Sequence, residues 1–299
     1  MERPMQMAQQ TRPPIDRLAG LVDRLDALPS VPLIAERVGQ LVNDPRSDAR
    51  SIAAAMRGDP ALTAKVLRLV NSPYFGIPNG VSDVARAISF IGFNTLHQLV
   101  LTVSVFKMLG GARDEAARAL YRHSLAVAGA AEAIAEHVGH PAPQECFTAG
   151  LLHDIGRLAL AQADGDLFEQ VATAARARDL SLKDAEAELG LPPHDALGLR
   201  LAKRWRFPLP LQAAIGHHHG YTLAERSSVA RHLNPTVDVT VLADAICHRL
   251  RLHAETGEPP PLPAPVLERL NVTQDIEQQA YDRLRWKMEQ SELLMQILT

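Results

Sequence analysis

The second half of the chain places histidine and aspartate where helical spacing predicts a buried apolar side chain. Asp244, for example, follows Val237 and Val241 on one helical face. An unpaired buried carboxylate costs several kcal/mol, so such a position requires a compensating partner. The residues with this character are His123, His153, Asp154, His194, His218, His219 and Asp244.

Each of these residues has a structural interpretation beside the chemical one. A single inward histidine is usually a hydrogen-bonded core residue, and a single inward aspartate usually caps a helix or pairs with arginine. Several imidazoles and two carboxylates that converge inside one bundle are satisfied most economically by a cation. The sequence therefore favours a divalent metal site for Fe, Mn or Zn, and no organic cofactor is predicted.

Apolar spacing of three and four residues dominates the chain, which predicts an all-α protein. Hydrophobic residues make up 46% of the chain and aromatic residues only 4%, a balance that favours packed helices. Asp59-Pro60 predicts the N-cap and first residue of one helix. Ser82 is a candidate N-cap for the next helix, which we expect to end at Gly92.

The pair Gly110-Gly111 predicts a boundary inside this two-part helical bundle. An N-terminal helical subdomain over 15–112 is expected to pack on a C-terminal helical subdomain over 113–252. Residues 1–14 are interpreted as a flexible lead-in, 253–273 as a proline-rich linker and 274–299 as a C-terminal helix.

Charge and cysteine content narrow the class of protein. Lys plus Arg total 31 against 34 Asp plus Glu, which disfavours a general nucleic-acid binder. No apolar run is long enough to span a membrane, and Cys146 and Cys247 have no CxxC partner. These features predict a cytoplasmic protein with reduced thiols that does not bind membranes, and they leave its oligomeric state open.

The basic side chains of Arg200, Lys203 and Arg204 have helical spacing, and Arg206 lies just beyond them. Such a cluster could hold a phosphorylated ligand. Charged side chains normally stay outside the protein, however, so the sequence favours a solvated face at this position.

His123, the doublet His153-Asp154 and Asp244 resemble the H…HD…D signature of the HD superfamily of metal-dependent phosphohydrolases. The resemblance implies that these four residues hold a metal that activates water against a phosphoester. In the catalytic interpretation, Asp154 would bridge or orient that water. Arg157, one helical turn further on, would neutralise a phosphate oxygen, although an arginine on a helix is more often solvated.

His194 and the pair His218-His219 resemble the additional histidines of the HD-GYP branch of that superfamily, where a second metal can bind. The following residues Gly220-Tyr221-Thr222 depart from the extended motif of that branch. We therefore expect one metal at the first four residues and treat the three further histidines as a possible second site.

The first half is similar to a more specific family, the HD-related output domain, or HDOD. The residues that carry this resemblance include Leu28-Pro29-Ser30-Val31-Pro32, Asp59-Pro60-Ala61-Leu62, Asn71-Ser72 and Ile91-Gly92, and it continues through Gly150–Gly156 to about residue 250. HDOD proteins are bacterial signalling modules, and many of them have lost parts of the metal site.

The resemblance implies a regulatory module that binds other signalling proteins or a phosphorylated small ligand. The alternative is an active metal-dependent phosphohydrolase that acts on a nucleotide or cyclic dinucleotide, because the His and Asp set is complete. A third interpretation is a scaffold whose buried histidines and aspartates are hydrogen-bonded and free of metal.

Overall fold

The computed structural model describes residues 15–29, 31–109, 115–251 and 261–273, together with 275, 276 and 278. Regular structure within these residues is entirely helical, which confirms the predicted fold class. The helices of the first half are α1 (Ile15–Asp26), α2 (Leu33–Val42), α3 (Ala49–Met56), α4 (Pro60–Val70) and α5 (Val84–Met108).

The second half contains nine further α-helices among its described residues, and a 3₁₀ turn at Arg231–Leu233. They are α6 (Glu115–His137), α7 (Pro143–Leu152), α8 (Ile155–Ala163), α9 (Gly165–Arg178), α10 (Leu182–Glu188), α11 (His194–Arg204), α12 (Leu209–His217), α13 (Asn234–Arg249) and α14 (Ala264–Leu270). The predicted lead-in, the glycine pair at the predicted boundary and most of the predicted C-terminal helix lie outside the described residues.

Local capping chemistry fixes where the helices of the first half begin. Asp59 accepts a hydrogen bond from the Leu62 amide, 2.9 Å away, and Pro60 opens α4 as predicted. The cap of α5 differs by one residue from the prediction, because the Asp83 side chain accepts from the Arg86 amide. A carboxylate is a strong N-cap, so Asp83 takes the position proposed for Ser82.

The long helix α5 runs through the core and breaks at Gly92, whose φ of 78° is left-handed. By length and composition it is the one described helix that could cross a membrane. More than half of its most apolar segment, 56%, is buried inside the protein. This burial is typical of the core helix of a folded domain, and a cytoplasmic location stays a prediction.

The two halves of the chain share an apolar core, and a second apolar cluster surrounds α13. Helices α2, α3 and α4 pack around α5, whereas α7 packs against α6, α12 and α13. Helix α1 belongs to the first half in sequence but lies against α8 of the second half. A continuous cluster of buried side chains runs from Leu21 in α1 to Ile215 in α12. The halves are therefore joined by hydrophobic contact as well as by the chain.

Part of the predicted basic surface binds the end of α1. The Arg204 guanidinium donates to the carbonyl oxygens of Leu25 and Leu28, at 3.1 and 2.7 Å. The Trp205 indole donates to the carbonyl oxygen of Pro29 at 3.2 Å. Arg204 thus stabilises the docking of α1, where a solvated face was expected.

The segment predicted as a linker contains a packed helix. Val266 and Leu267 in α14 are buried against the apolar cluster around α13. Arg269 donates to both carboxylate oxygens of Asp238, at 2.9 and 2.7 Å, and the buried Arg226 donates to the same carboxylate at 2.6 Å. The described residues 261–273 are therefore part of the folded domain.

Glycine lets the helices around the His153-Asp154 doublet approach one another closely. A Cβ at Gly156 would lie 1.9 Å from the His194 carbonyl oxygen and 2.8 Å from the Gly198 amide nitrogen. On the other side, a Cβ at Gly150 would lie 2.8 Å from the Val127 carbonyl oxygen. The doublet is thereby held between α6 and α11, which carry His123 and His194.

Candidate metal centre

The His153-Asp154 doublet lies at the sharp junction between α7 and α8. His153 follows the last residue of α7, and its Nδ1 donates to the Gly150 carbonyl oxygen at 2.7 Å. Its Nε2 therefore faces the carboxylates, 3.5 Å from Asp154 Oδ2 and 3.7 Å from Asp244 Oδ1. Burial lowers the pKa of His153 to about 4, so the ring is neutral and can act as a ligand.

Asp244 on α13 and His123 on α6 complete the predicted set of four residues. Asp244 Oδ1 lies 3.1 Å from His123 Nε2 and 3.2 Å from Nε2 of His248, one turn further along α13. Burial would raise the pKa of Asp244, but the neighbouring histidines hold it well below its usual value. The structure thus brings all four signature residues together in the interior.

Asp154 lies between this group and the three additional histidines. Its Oδ1 is 3.1 Å from His194 Nε2 and 3.6 Å from His218 Nε2. Its Oδ2 accepts a hydrogen bond from Arg157 at 2.8 Å. Burial would raise the pKa of Asp154, but the Arg157 guanidinium and nearby histidines hold it well below its usual value. The carboxylate is therefore ionised and shared by both groups.

The three additional histidines also converge. His194 Nε2 lies 3.2 Å from His218 Nε2 and 2.9 Å from His219 Nε2. The His218 Nδ1 donates to the Ile215 carbonyl oxygen at 3.0 Å, which turns its Nε2 toward the other two rings. Three imidazole nitrogens that face one another need protons or a cation between them. The cluster is a candidate second metal site beside the first.

Arg157, a candidate catalytic residue, is buried beside Asp154. Its side chain is 4% exposed, and its Nε lies 3.3 Å from Glu186 Oε1 while its Nη1 binds Asp154. The guanidinium thus neutralises two buried carboxylates of the protein. The side chain is therefore not solvated, and its role toward a phosphate oxygen stays a prediction.

Two residues of the centre were missed as functional residues by the sequence analysis. Glu186 on α10 accepts from His194 Nδ1 at 2.7 Å and from the His194 amide at 3.1 Å. Burial and Arg157 lower the pKa of His194, but Glu186 and Asp154 outweigh them and raise it to about 9. His248 stands one helical turn after Asp244, a spacing that could have identified it.

The chemistry of these residues fits a divalent cation. Oδ1 of Asp154, Oδ1 of Asp244 and both ring nitrogens of His123 are buried and make no hydrogen bond of good geometry, although a histidine nitrogen lies 3.1 Å from each oxygen. Such atoms are costly unless another group satisfies them. Neutral imidazole and carboxylate are the donors that Fe, Mn and Zn accept. Each three-residue group of close potential ligands found among the described residues includes His123 or His194, so all of them belong to this centre.

The all-helical fold and the HD-type cluster define a class, the helical HD-like domains. The family model of the HDOD domain matches residues 28–221, more than half of the chain. The chain belongs to the HDOD domain family. This confirms the resemblance drawn from the sequence motifs.

Solved structures share this fold. An HDOD domain protein of unknown function from Geobacter sulfurreducens is 27% identical, with a TM-score of 0.73 over 95% of this chain and 98% of that one. A proposed phosphohydrolase from Shewanella amazonensis SB2B is 24% identical, with a TM-score of 0.69 over 94% and 98%. A proposed signal transduction protein from Marinobacter aquaeolei VT8 is 19% identical, with a TM-score of 0.74 over 97% and 68%.

An uncharacterised protein from Treponema pallidum (strain Nichols) is 26% identical over 213 residues. The match covers 67% of this chain but only 39% of that protein. The chain therefore corresponds to less than half of this relative.

Proposed function

We propose that the protein is a regulatory signal-transduction module whose HD-type centre holds a divalent metal. His123, His153, Asp154 and Asp244 would hold the ion. The observation that carries the proposal is the convergence of these buried side chains, several of whose polar atoms make no hydrogen bond of good geometry. A divalent ion bound there would lower the pKa of a water molecule bound to it and would polarise a phosphoryl oxygen.

Neighbouring residues orient the side chains of the centre so that they can bind a cation. The Gly150 carbonyl fixes the tautomer of His153, and Arg157 holds Asp154 in place and ionised. Glu186 orients His194 through Nδ1 but also raises the pKa of this ring to about 9, so an ion there would have to displace the Nε2 proton. These contacts orient the donor atoms before any ion binds, which reduces the cost of assembling the site.

Restricted access supports regulation as the main role of the centre. His153, Asp154, His194 and His218 are each about 1% exposed. The more accessible side chains are Asp244 at 9% and His248 at 13%, together with the half-buried His219. Since the ligands are enclosed on most sides, a metal there would chiefly stabilise one conformation, which a partner protein or phosphorylated small ligand in the cytoplasm could recognise.

Metal analysis of protein purified without a histidine tag tests the proposal. We expect about one equivalent or more of Fe, Mn or Zn in the wild type, and a loss of most of it in Asp154→Asn and Asp244→Asn. Asp23→Asn, a matched change at an exposed carboxylate of α1, should keep the wild-type content. Less than about a tenth of an equivalent in the wild type would support the metal-free scaffold instead.

One observation favours phosphohydrolase activity as a second candidate. Asp154 is shared between two clusters of histidines, an arrangement that suits two neighbouring cations and in-line attack on a phosphoester. A panel of nucleotides and cyclic dinucleotides, assayed with added Fe, Mn and Zn, tests this activity. Turnover that Asp154→Ala abolishes would support it, whereas turnover that survives this substitution would exclude the centre as its source.

A further inference from the structure

A cavity of about 1060 Å³ lies between helices of the first half of the chain and helices of the second half. None of the metal-centre residues lines it. Helix α2 and the part of α5 that follows Gly92 form one side. The loop before α7 and the loop between α11 and α12 form the other. Its buried apolar wall consists of Val31, Ala35, Leu101 and Trp205. The volume is at the upper end of the range for small-molecule sites.

Carboxamide side chains are concentrated around this cavity. Five of them line it, namely Gln40, Asn43, Asn94, Gln98 and Gln144. Gln98 is only 8% exposed, and its carboxamide oxygen accepts from Thr148 Oγ1 at 3.1 Å. The structure records no partner for the nitrogen of the same carboxamide. The other four carboxamides are exposed at the rim, and the Asn43 nitrogen already donates to the Gly39 carbonyl oxygen at 2.8 Å. The remaining groups offer both donors and acceptors of neutral hydrogen bonds.

His97 adds a neutral ring next to Gln98. The ring packs against Gly39 of α2 so tightly that a Cβ there would lie 2.7 Å from His97 Nε2. Burial lowers the pKa of His97 to about 4, so it carries no charge near neutral pH. His97 thus presents a further neutral hydrogen-bonding group.

The charges around the cavity disfavour an anionic ligand. Glu36 and Glu145 line it, and the single basic residue among its lining, Arg206, is exposed to solvent. Phe93 is 37% exposed at the edge, where its ring can stack on a flat ligand. A planar and uncharged molecule with several hydrogen-bonding groups matches this lining better than a phosphate does.

We propose that this cavity binds the base of a nucleoside. Carboxamides pair with base edges through two parallel hydrogen bonds, and an aromatic ring such as Phe93 supports the base by stacking. A ligand at this position would touch both groups of helices and could thereby couple them. The proposal is independent of metal binding and of the function proposed above.

Ligand-observed NMR with the full chain, treated with a chelator to remove metal, tests this site. The probes are adenosine, guanosine, cytidine and uridine, each compared with its 5′-monophosphate. We expect at least one nucleoside to bind at submillimolar concentration, and its monophosphate to bind no more tightly because of Glu36 and Glu145. Adding diamagnetic Zn²⁺ after the chelator has been removed should leave the affinity unchanged, which separates this site from the metal centre.

Two variants and one matched control locate the binding. Gly39→Ala should force the His97 ring into the cavity and weaken binding about tenfold or more. Asn94→Ala, at an exposed position, should weaken it about fivefold without affecting folding. Gly165→Ala adds the same methyl group in open space on α9 and should leave binding unchanged.

Several results would overturn the proposal. These are no binding of any nucleoside at millimolar concentration, tighter binding of the monophosphates, or equal binding of a neutral N-acetylalanine amide. Binding that both Gly39→Ala and Asn94→Ala leave unchanged would also overturn it. If Gly39→Ala fails to fold, the result for Asn94→Ala decides.

Discussion

Two histidine rings of the metal centre are oriented by backbone carbonyl oxygens at the C-terminal ends of helices. His153 follows α7 and His218 follows α12, and each donates Nδ1–H to the carbonyl three residues earlier. The last carbonyls of a helix have no partner within the helix, so a histidine just beyond it can use one. The arrangement fixes the tautomer and presents Nε2 as a donor atom.

Replacing Arg157 with methionine should destabilise the protein by about 3–5 kcal/mol, because Asp154 and Glu186 would remain buried with only His194 as a positive partner. The measurement is urea unfolding of metal-free protein. Arg176→Met, which removes an exposed ion pair with Glu169, should cost less than about 1 kcal/mol. Equal losses in the two variants would contradict the structural role of Arg157.

His97 should make the protein less stable in acid. Its pKa is about 4 when folded and near 6.5 when unfolded, so the unfolded state binds more protons between these values. Stability therefore falls as pH decreases from 6.5 to 4, by at most about 1.4 kcal/mol per pH unit from this group. The free energy of unfolding of His97→Gln, which cannot titrate, should fall less steeply. If the free energies of unfolding of the two proteins fall equally steeply with decreasing pH, the lowered pKa of His97 is contradicted.

The sequence predicted the seven main ligand candidates, because they stand in or beside apolar helical stretches and match the motifs of the family resemblance. Glu186 was harder to recognise, since its role depends on the turn that folds α10 back toward His194. Its position beside the buried Leu182 and Ala185 on one face of α10 was the available signal. The burial of Arg157 depends on the same turn and could not be predicted from its own surroundings in the sequence.

At the scale of helices, close packing positions the ligands. Helices α8 and α11 touch at Gly156 and Gly198, where the backbones leave no room for a side chain. This contact sets how near His194 approaches Asp154, 3.1 Å at their closest atoms. A small residue at the contact therefore determines the geometry of the second histidine cluster.

Gly156→Ala should destabilise the protein by about 2–3 kcal/mol or more, because the added methyl group would overlap the His194 backbone. Thermal and urea unfolding measure the loss. Gly165→Ala at the start of α9 meets no neighbouring atom and should change stability by less than about 0.5 kcal/mol. A Gly156→Ala protein as stable as this control would show that the contact is looser than described.

Helix α14 shows why one element was not predicted. It has seven residues and begins among prolines, a composition typical of a linker. Proline is also well tolerated in the first turn of a helix, where Pro265 lies. The decisive contacts, Arg269 with Asp238 and the burial of Val266 and Leu267, are tertiary and leave little trace in local sequence.

At the scale of the whole molecule, the continuous core predicts cooperative unfolding of both halves. The cluster from α1 to α12 leaves no plane along which the halves could separate without exposing apolar surface. In a Trp286→Phe background, Trp205 fluorescence reports on the junction of α1 and α11. Its urea transition should coincide with that of far-UV circular dichroism. Two separated transitions would show that the halves unfold independently.

The central claim is that His123, His153, Asp154 and Asp244 hold one divalent metal. Anomalous diffraction, recorded above and below the absorption edges of Fe, Mn and Zn from crystals of untagged protein, tests it most directly. We expect an anomalous peak about 2.0–2.3 Å from donor atoms of these residues. A map with well-ordered side chains and no anomalous peak among them, even after growth with these metals, would contradict it.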